Sequence, residues 1–151
     1  MCFLMDEFIK MLSTDYELVD FKIKDTQIVF EIASTKKSCT CPFCGMPTSR
    51  IHSTYQREIQ DLPLHNKQTV LLVHTRKMFC ENPNCQATTF AERHPFAAKN
   101  GKKTDRLVTN ILNTSLQLSS INASRLLKTV SVKVCKSSIC TLLKKNAINY
   151  G

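Results

Sequence analysis

An α+β fold is predicted by three features of the sequence. Apolar and polar residues alternate near the start, two pairs of closely spaced cysteines bracket β-rich stretches in the middle, and from Thr104 onward the apolar period lengthens to that of a helix. The expected order is an N-terminal helix and β-hairpin region over residues 1–36, a small zinc-knuckle β domain over 37–97, and a C-terminal helix-turn-helix bundle over 103–148.

In the first part, Asp6 to Leu12 reads as a short helix. Glu17 to Lys24 and Gln27 to Ile32 then alternate apolar and polar around Asp25-Thr26, which is the pattern of a hairpin, although Asp-Thr is a weaker turn than Asp-Gly. The polar, basic tract Ser34 to Thr40 reads as a connector.

The second part carries the strongest chemical signal. Cys41-Pro42-Phe43-Cys44-Gly45 is a CPxCG knuckle, and Cys80-Glu81-Asn82-Pro83-Asn84-Cys85 is a CxxxxC knuckle. Two thiolates two to four residues apart can grip one tetrahedral ion from a tight turn, and glycine and proline supply the turn. Arg50 to Ile59 and Thr69 to Phe79 are rich in β-branched and aromatic residues and read as the strands that bring the pairs together, with Leu62-Pro63-Leu64-His65-Asn66 as the break. The expected ligands of one structural Zn2+ are Cys41, Cys44, Cys80 and Cys85; a closed four-cysteine site has no open position for water or substrate. Cys39 is the competing candidate for the place of Cys41, and the CxxC spacing and Gly45 favour Cys41. His52, His65, His74 and His94 stand at no knuckle spacing and read as surface, turn or strand residues, while Cys2, Cys135 and Cys140 read as packing residues. A thiol redox role for Cys41 and Cys44 would call for a thioredoxin-like βαβ pattern, which the flanking sequence lacks.

The third part reads as three helices. Thr104 caps the first, from Asp105 to about Leu118, with Val108, Ile111, Leu112, Ser115 and Leu118 on one face. Ser119 or Ser120 caps the second, Ile121 to Thr129, with Ala123, Leu126 and Leu127 as its apolar face. After Val130 to Val134 a third helix runs from Lys136 to about Asn146, with Ile139, Leu142 and Leu143 inward and Lys136, Ser137, Ser138, Thr141, Lys144 and Lys145 outward. Periodicity alone leaves two readings open, a three-helix bundle with a solvated basic face and a recognition helix whose polar N-terminal residues reach base edges. Its place behind a zinc knuckle raises the second.

Charge points the same way. The net charge of +9 divides into −4 over residues 1–35 and +13 over residues 36–151. A basic segment of that size suits a polyanion, since each lysine docked on a phosphate releases counterions; a solubilising surface is the plain alternative. No apolar run reaches the roughly 20 residues needed to span a bilayer, so the expectation is a cytoplasmic protein without signal peptide or membrane partner. Eight cysteines are then read as thiols for metal and not as a disulfide framework. With no tryptophan and three tyrosines there is little to stack on single-stranded bases, which ranks an RNA-binding ribbon low.

The CPxCG knuckle, Arg57-Glu58-Ile59-Gln60-Asp61-Leu62-Pro63, Arg76-Lys77-Met78-Phe79-Cys80, Asn82-Pro83-Asn84-Cys85 and Thr89-Phe90-Ala91-Glu92-Arg93 occur in an order that resembles the N-terminal region of the ISL-three family of insertion-sequence transposases. The resemblance covers most of the chain and implies the same four zinc ligands, a helix-turn-helix, and double-stranded DNA at insertion-sequence ends as the partner, with a full-length transposase or a second copy as candidate protein partners. Cys135 stands where the family's recognition helix has a serine cap, and Ser131 where the turn often has glycine, and both departures weaken the helix-turn-helix reading. The family continues into an RNase H-like catalytic domain, whereas this sequence stops at Gly151. The five acids beyond residue 35, Glu58, Asp61, Glu81, Glu92 and Asp105, make an implausible catalytic triad. The expectation is therefore a truncated, non-enzymatic DNA-binding module, with a regulator or inhibitor of transposition or transcription as the alternative.

Overall fold

The computed structural model describes residues 2–149. Helix α1 (Cys2–Leu12) is followed by strands β1 (Tyr16–Ile23), β2 (Gln27–Ser34), β3 (Cys39–Thr40), β4 (Pro47–Thr48), β5 (Ile51–Leu64), β6 (Lys67–Phe79) and β7 (Thr89–Ala91), and then by helices α2 (Asp105–Ser115), α3 (Ser120–Thr129) and α4 (Lys136–Asn149). The long strands form a sheet in the order β1-β2-β6-β5, with β7 on β6, and β3 pairs with β4 in a separate ribbon. The architecture is thus the expected α+β: a β-strand region, a small cysteine-rich sheet and a C-terminal helical bundle. Two compact units are formed, one from Met1–Phe21, Phe30–Glu58 and Leu71–Pro95, the other from Lys22–Val29, Ile59–Val70 and Phe96–Gly151. Among the described residues no helix is long and apolar enough to cross a membrane.

The first unit is built on period-two burial. Phe30 and Ile32 of β2 are buried in alternation, as are Leu71, Val73 and Thr75 of β6. Helix α1 starts at Cys2, four residues before the expected Asp6. Asp6 is inside it and accepts the Leu18 N–H (3.0 Å) through its carboxylate, so the acid ties helix to strand and does not begin the helix. The turn between β1 and β2, which belongs to the second unit, closes as expected, with Lys24 N–H donating to the Gln27 carbonyl at 2.8 Å.

Buried polar side chains in this unit are paired. Arg76 holds Glu92 through Nη2–Oε1 (2.7 Å) and Nε–Oε2 (3.1 Å), a two-pronged geometry that suits guanidinium and carboxylate. His94, expected at a surface, turn or strand, is a buried loop residue at 3% exposure. Its Nδ1 lies 2.5 Å from the Tyr16 hydroxyl and its Nε2 2.9 Å from Thr75 Oγ1. Thr75 donates to the Val73 carbonyl, so it accepts from His94 Nε2–H, and Nδ1 then accepts from Tyr16, which assigns the neutral ring's tautomer.

The expected break over Leu62 to Asn66 shrinks to a two-residue turn. Only His65 (φ 51°) and Asn66 (φ 60°) leave the strands, and two successive positive φ values are what a tight hairpin turn of the twisted type requires. Pro63 stays within β5, the terminal strand of the sheet order, a position at which proline is tolerated.

In the second unit Leu107, Ile111, Ala123, Leu127, Val132, Val134 and Ile139 form one apolar core, against which Leu62, Leu142 and Leu143 pack. Thr104 caps α2 through the Leu107 N–H, and Ser119 caps α3 through the Asn122 N–H. The inward face of α2 is centred on Leu107, Ile111 and Ser115, with Val108 and Leu112 at its flanks; Leu118 lies beyond the helix and is exposed. On α3, Leu126 is 49% exposed, because Ala123 and Leu127 one turn apart already fill the contact.

Two outcomes follow. Burial holds the His94 ring neutral, with its pKa lowered from 6.5 to about 4. Below pH 6.5 the unfolded chain takes up a proton that the folded chain refuses until about pH 4, so this share of stability is whole above 6.5 and lost on acidification between the two values. An NMR titration should place the His94 midpoint near 4, and a midpoint near 6.5 would contradict the buried network. Ile139→Ala should lower the unfolding free energy by about 2–5 kcal/mol in a denaturant titration, the usual cost of emptying a fully buried isoleucine site.

Candidate metal centre

Each cysteine pair is set by its own backbone turn. In the first knuckle Gly45 N–H donates to the Cys41 carbonyl (2.8 Å) and Cys41 N–H to the Met46 carbonyl (3.0 Å). Gly45 adopts φ +78°, a left-handed conformation that side chains disfavour. A Cβ at Gly45 would meet nothing within 4 Å, so the demand for glycine is one of backbone angle and not of space. Beneath this turn β3 and β4 pair Cys39 with Thr48 and Thr40 with Pro47. In the second knuckle Asn82 organises the loop, its side chain accepting the Asn84 N–H (3.0 Å) and its carbonyl the Cys85 N–H (3.1 Å). Cys80 N–H donates to the Thr88 carbonyl (2.9 Å), and Phe79 N–H donates to the Arg50 carbonyl (2.9 Å), which holds the end of β6 beside the start of β5.

The result is a four-sulfur cluster. The Sγ atoms of Cys41, Cys44, Cys80 and Cys85 all lie within 4.8 Å of one another. Cys41 and Cys85 are 3.9 Å apart, Cys44 and Cys80 3.5 Å. A tetrahedral ion with Zn–S bonds of about 2.3 Å separates its sulfurs by about 3.8 Å, whereas a disulfide needs about 2 Å. The donor set and spacing therefore fit one Zn2+ ion. Met78 and Phe90 are buried against the cluster, with Met78 opposite Phe90 in the β6–β7 register.

The thiols titrate against each other. Cys44 is lowered to about 6 by the Met46 backbone and the Asn82 side chain. Cys80 goes the other way, to about 12: the Asn82 backbone favours its thiolate but is outweighed by burial and by the neighbouring sulfurs of Cys44, Cys41 and Cys85. One thiolate is easy to form here and the next is opposed. A dication among them reverses that balance, because a coordinating thiol is deprotonated outright.

Cys39 is kept out of the cluster. Burial and the Glu92 carboxylate raise its pKa, and its thiol is directed to that carboxylate. None of the four histidines joins the sulfurs. His52 packs on the Phe79 ring at 4.9 Å, His65 forms the hairpin turn, His74 meets Glu31 at 2.6 Å, and His94 is in its buried network.

Residues 37–86 match the family model described as the zinc-finger of transposase IS204/IS1001/IS1096/IS1165. The match covers about a third of the 151 residues and contains all four clustered cysteines. No curated protein and no solved structure matches the chain.

The basic residues singled out in the tail share α4. Lys136, Ser137, Thr141, Lys144 and Lys145 are exposed and Ser138 half-buried, while Ile139 is fully buried. The two departures at the turn before α4 are accommodated. Ser131 adopts φ +64°, with its N–H on the Lys128 carbonyl and the Val132 N–H on the Leu127 carbonyl, the paired bonds of a Schellman helix end. Its hydroxyl donates to the Asn66 carbonyl at 2.5 Å, offsetting part of the about 1–2 kcal/mol cost of a left-handed serine. Cys135 occupies the N-cap of α4, its carbonyl accepting the Ile139 N–H. Ser137 and Ser138 hydroxyls, each 3.1 Å from Sγ, lower its thiol to about 6, a shift toward the anionic form that a helix start favours.

Sequence reasoning missed two features. Asp61, placed among scattered acids, is 4% exposed; it accepts from Thr104 Oγ1 (2.7 Å) and Arg106 Nε (2.8 Å) and so anchors the start of α2 to β5. The loop Lys99 to Lys103 lines a groove with α4.

Elemental analysis should find about one zinc per chain in the wild type and in Cys39→Ser, and a loss of zinc with unfolding in Cys80→Ser. Loss of zinc in Cys39→Ser with retention in Cys41→Ser would reverse the assignment.

Proposed function

We propose that the chain is the DNA-binding module of an insertion-sequence transposase, active in the bacterial cytoplasm on double-stranded DNA at element ends. The observation that carries this reading is the match of residues 37–86 to a transposase zinc-finger, with its four cysteines gathered at tetrahedral spacing. In this reading residues 37–97 are the zinc-binding part and 103–148 the DNA-binding part. Cys41, Cys44, Cys80 and Cys85 hold a structural Zn2+, and with four thiolates bound the ion has no position left for substrate.

Helices α3 and α4 with their left-handed turn act as a helix-turn-helix, with α4 as the recognition helix. Ser137, Ser138 and Thr141 face base edges, and Lys136, Lys144 and Lys145 hold phosphates. The division of labour on α4 supports this, since Ile139 takes the core contact and leaves a hydroxyl-rich first turn and a basic C-terminal end outside. A second copy or a longer transposase chain is the proposed protein partner.

Selection of the zinc-loaded protein against a random duplex library should enrich one sequence motif. Thr141→Ala should then cost about 1–3 kcal/mol on that motif and relax discrimination, while Lys144→Gln should weaken all duplexes alike and lower the salt slope by about one. Failure of zinc-loaded wild type to bind any duplex would overturn the reading.

A further inference from the structure

The loop that leads into α2 is built as a rigid cationic ridge. Gly101 N–H donates to the Ala98 carbonyl at 2.8 Å, and Asn100 between them is left-handed at φ 58°. A Cβ on Gly101 would stand 3.0 Å from the Ala98 carbonyl oxygen, so the turn is closed tightly. The next residues are clamped to β5: Gln60 N–H donates to the Lys102 carbonyl (2.9 Å) and Thr104 N–H to the Gln60 carbonyl (2.9 Å). The buried Asp61 carboxylate fixes Thr104 from the side. Lys99, Lys102 and Lys103 are thus presented by a backbone held at both ends, and a preorganised loop loses little entropy when it meets a ligand.

This ridge forms one wall of a groove of about 590 Å³, and the other wall is the Ser137, Ser138, Thr141 and Lys145 side of α4. Four lysines line the groove against one carboxylate, Asp105. Among the described residues none of the four lysines is in an ion pair, whereas Arg76 and Arg106 are each paired with a buried acid. Four lysines without ion pairs around a concave site suit a phosphodiester chain, which offers a row of anionic oxygens.

We infer that the Lys99–Lys103 loop is a second DNA-contacting element, which grips the sugar-phosphate backbone of the strand bordering the groove that α4 enters. The inference rests on the proposed DNA-binding reading and adds to it a site outside α4. The loop contributes affinity and register and reads no bases, because lysine at a phosphate carries no sequence information.

The test is the salt dependence of binding to a mixed-sequence duplex, measured by fluorescence anisotropy with the zinc-loaded full chain. Each phosphate neutralised contributes about 0.9 to the slope of log K against log salt. The variant with Lys99→Gln, Lys102→Gln and Lys103→Gln should lower the slope by about 3, and the double variant of the two exposed residues, Lys99→Gln and Lys102→Gln, by about 2. Zinc content and circular dichroism check that each variant is folded, and the double variant serves if replacing the half-buried Lys103 disturbs the fold. Preference between the selected motif and a scrambled duplex should be unchanged. Wild-type binding with an unaltered slope in the folded double variant would overturn the inference and leave the DNA reading standing. Absence of wild-type binding would overturn both.

Discussion

Four sulfur atoms within 4.8 Å of one another tie together chain segments that are 36 to 44 residues apart, and the first unit is organised around that closure. The turns on either side are too short to hold themselves: β3 and β4 have two residues each and β7 has three. Ribbons of that length do not persist in water on packing alone. One ion bound by the four sulfurs would stabilise them by closing the Gly45–Phe79 stretch at a single point and so offsetting the entropy of that loop. Met78 and Phe90, buried under the sulfurs, show that the cluster also acts as the lid of a small apolar core. The Met46 backbone and the Asn82 side chain lower the Cys44 thiol, while burial and the neighbouring sulfurs raise that of Cys80.

In the second unit the corresponding constraint is one buried carboxylate. Asp61 is 4% exposed and has three donors from two residues, the Thr104 hydroxyl and the Arg106 guanidinium through Nε and Nη2. A buried acid is costly unless its lone pairs are used, and removing a partner leaves that cost uncompensated. The arrangement therefore fixes where α2 begins, since Thr104 is both the helix cap and a donor to Asp61. It also fixes the loop before it, whose carbonyl at Lys102 and N–H at Thr104 are engaged by Gln60, the residue beside Asp61. A sequence-distant acid on an edge strand thus sets the geometry of a basic loop.

Much of this was legible because it is local. The cysteine spacings and Gly45 announced the knuckles, the period-two alternation announced β1 and β2, the β-branched and aromatic stretches announced β5 and β6, and Thr104 and Ser119 stand where helix caps belong. What local signals misplaced is equally physical. Pro63 looked like a breaker, but a strand at the edge of the sheet order tolerates proline. Leu118 and Leu126 fit an apolar period yet stay exposed, because the bundle's core is satisfied by Ile111, Leu127 and Ile139 and helical spacing cannot say where packing stops. Ser131 and Cys135 looked like poor turn and cap residues; the Asn66 carbonyl and the Ser137 and Ser138 hydroxyls that support them are contacts no linear pattern encodes. Pairings across long sequence distance, such as Tyr16 with His94 and Asp61 with Arg106, were invisible for the same reason.

The chemistry of the two stabilising devices also separates stability from recognition. A metal held by four thiolates is coordinatively closed, and a carboxylate with all its donors inside the fold has nothing left to offer a ligand. Lysines without acidic partners among the described residues include those of α4 and of the Lys99–Lys103 loop. Lysine on a surface stabilises a fold very little, so folding alone does not account for Lys99, Lys102, Lys103 and Lys145 around one groove. In the proposed reading a polyanion's phosphates meet both α4 and the loop, and the buried Asp61 carboxylate holds the start of α2 behind the loop without being spent on the ligand.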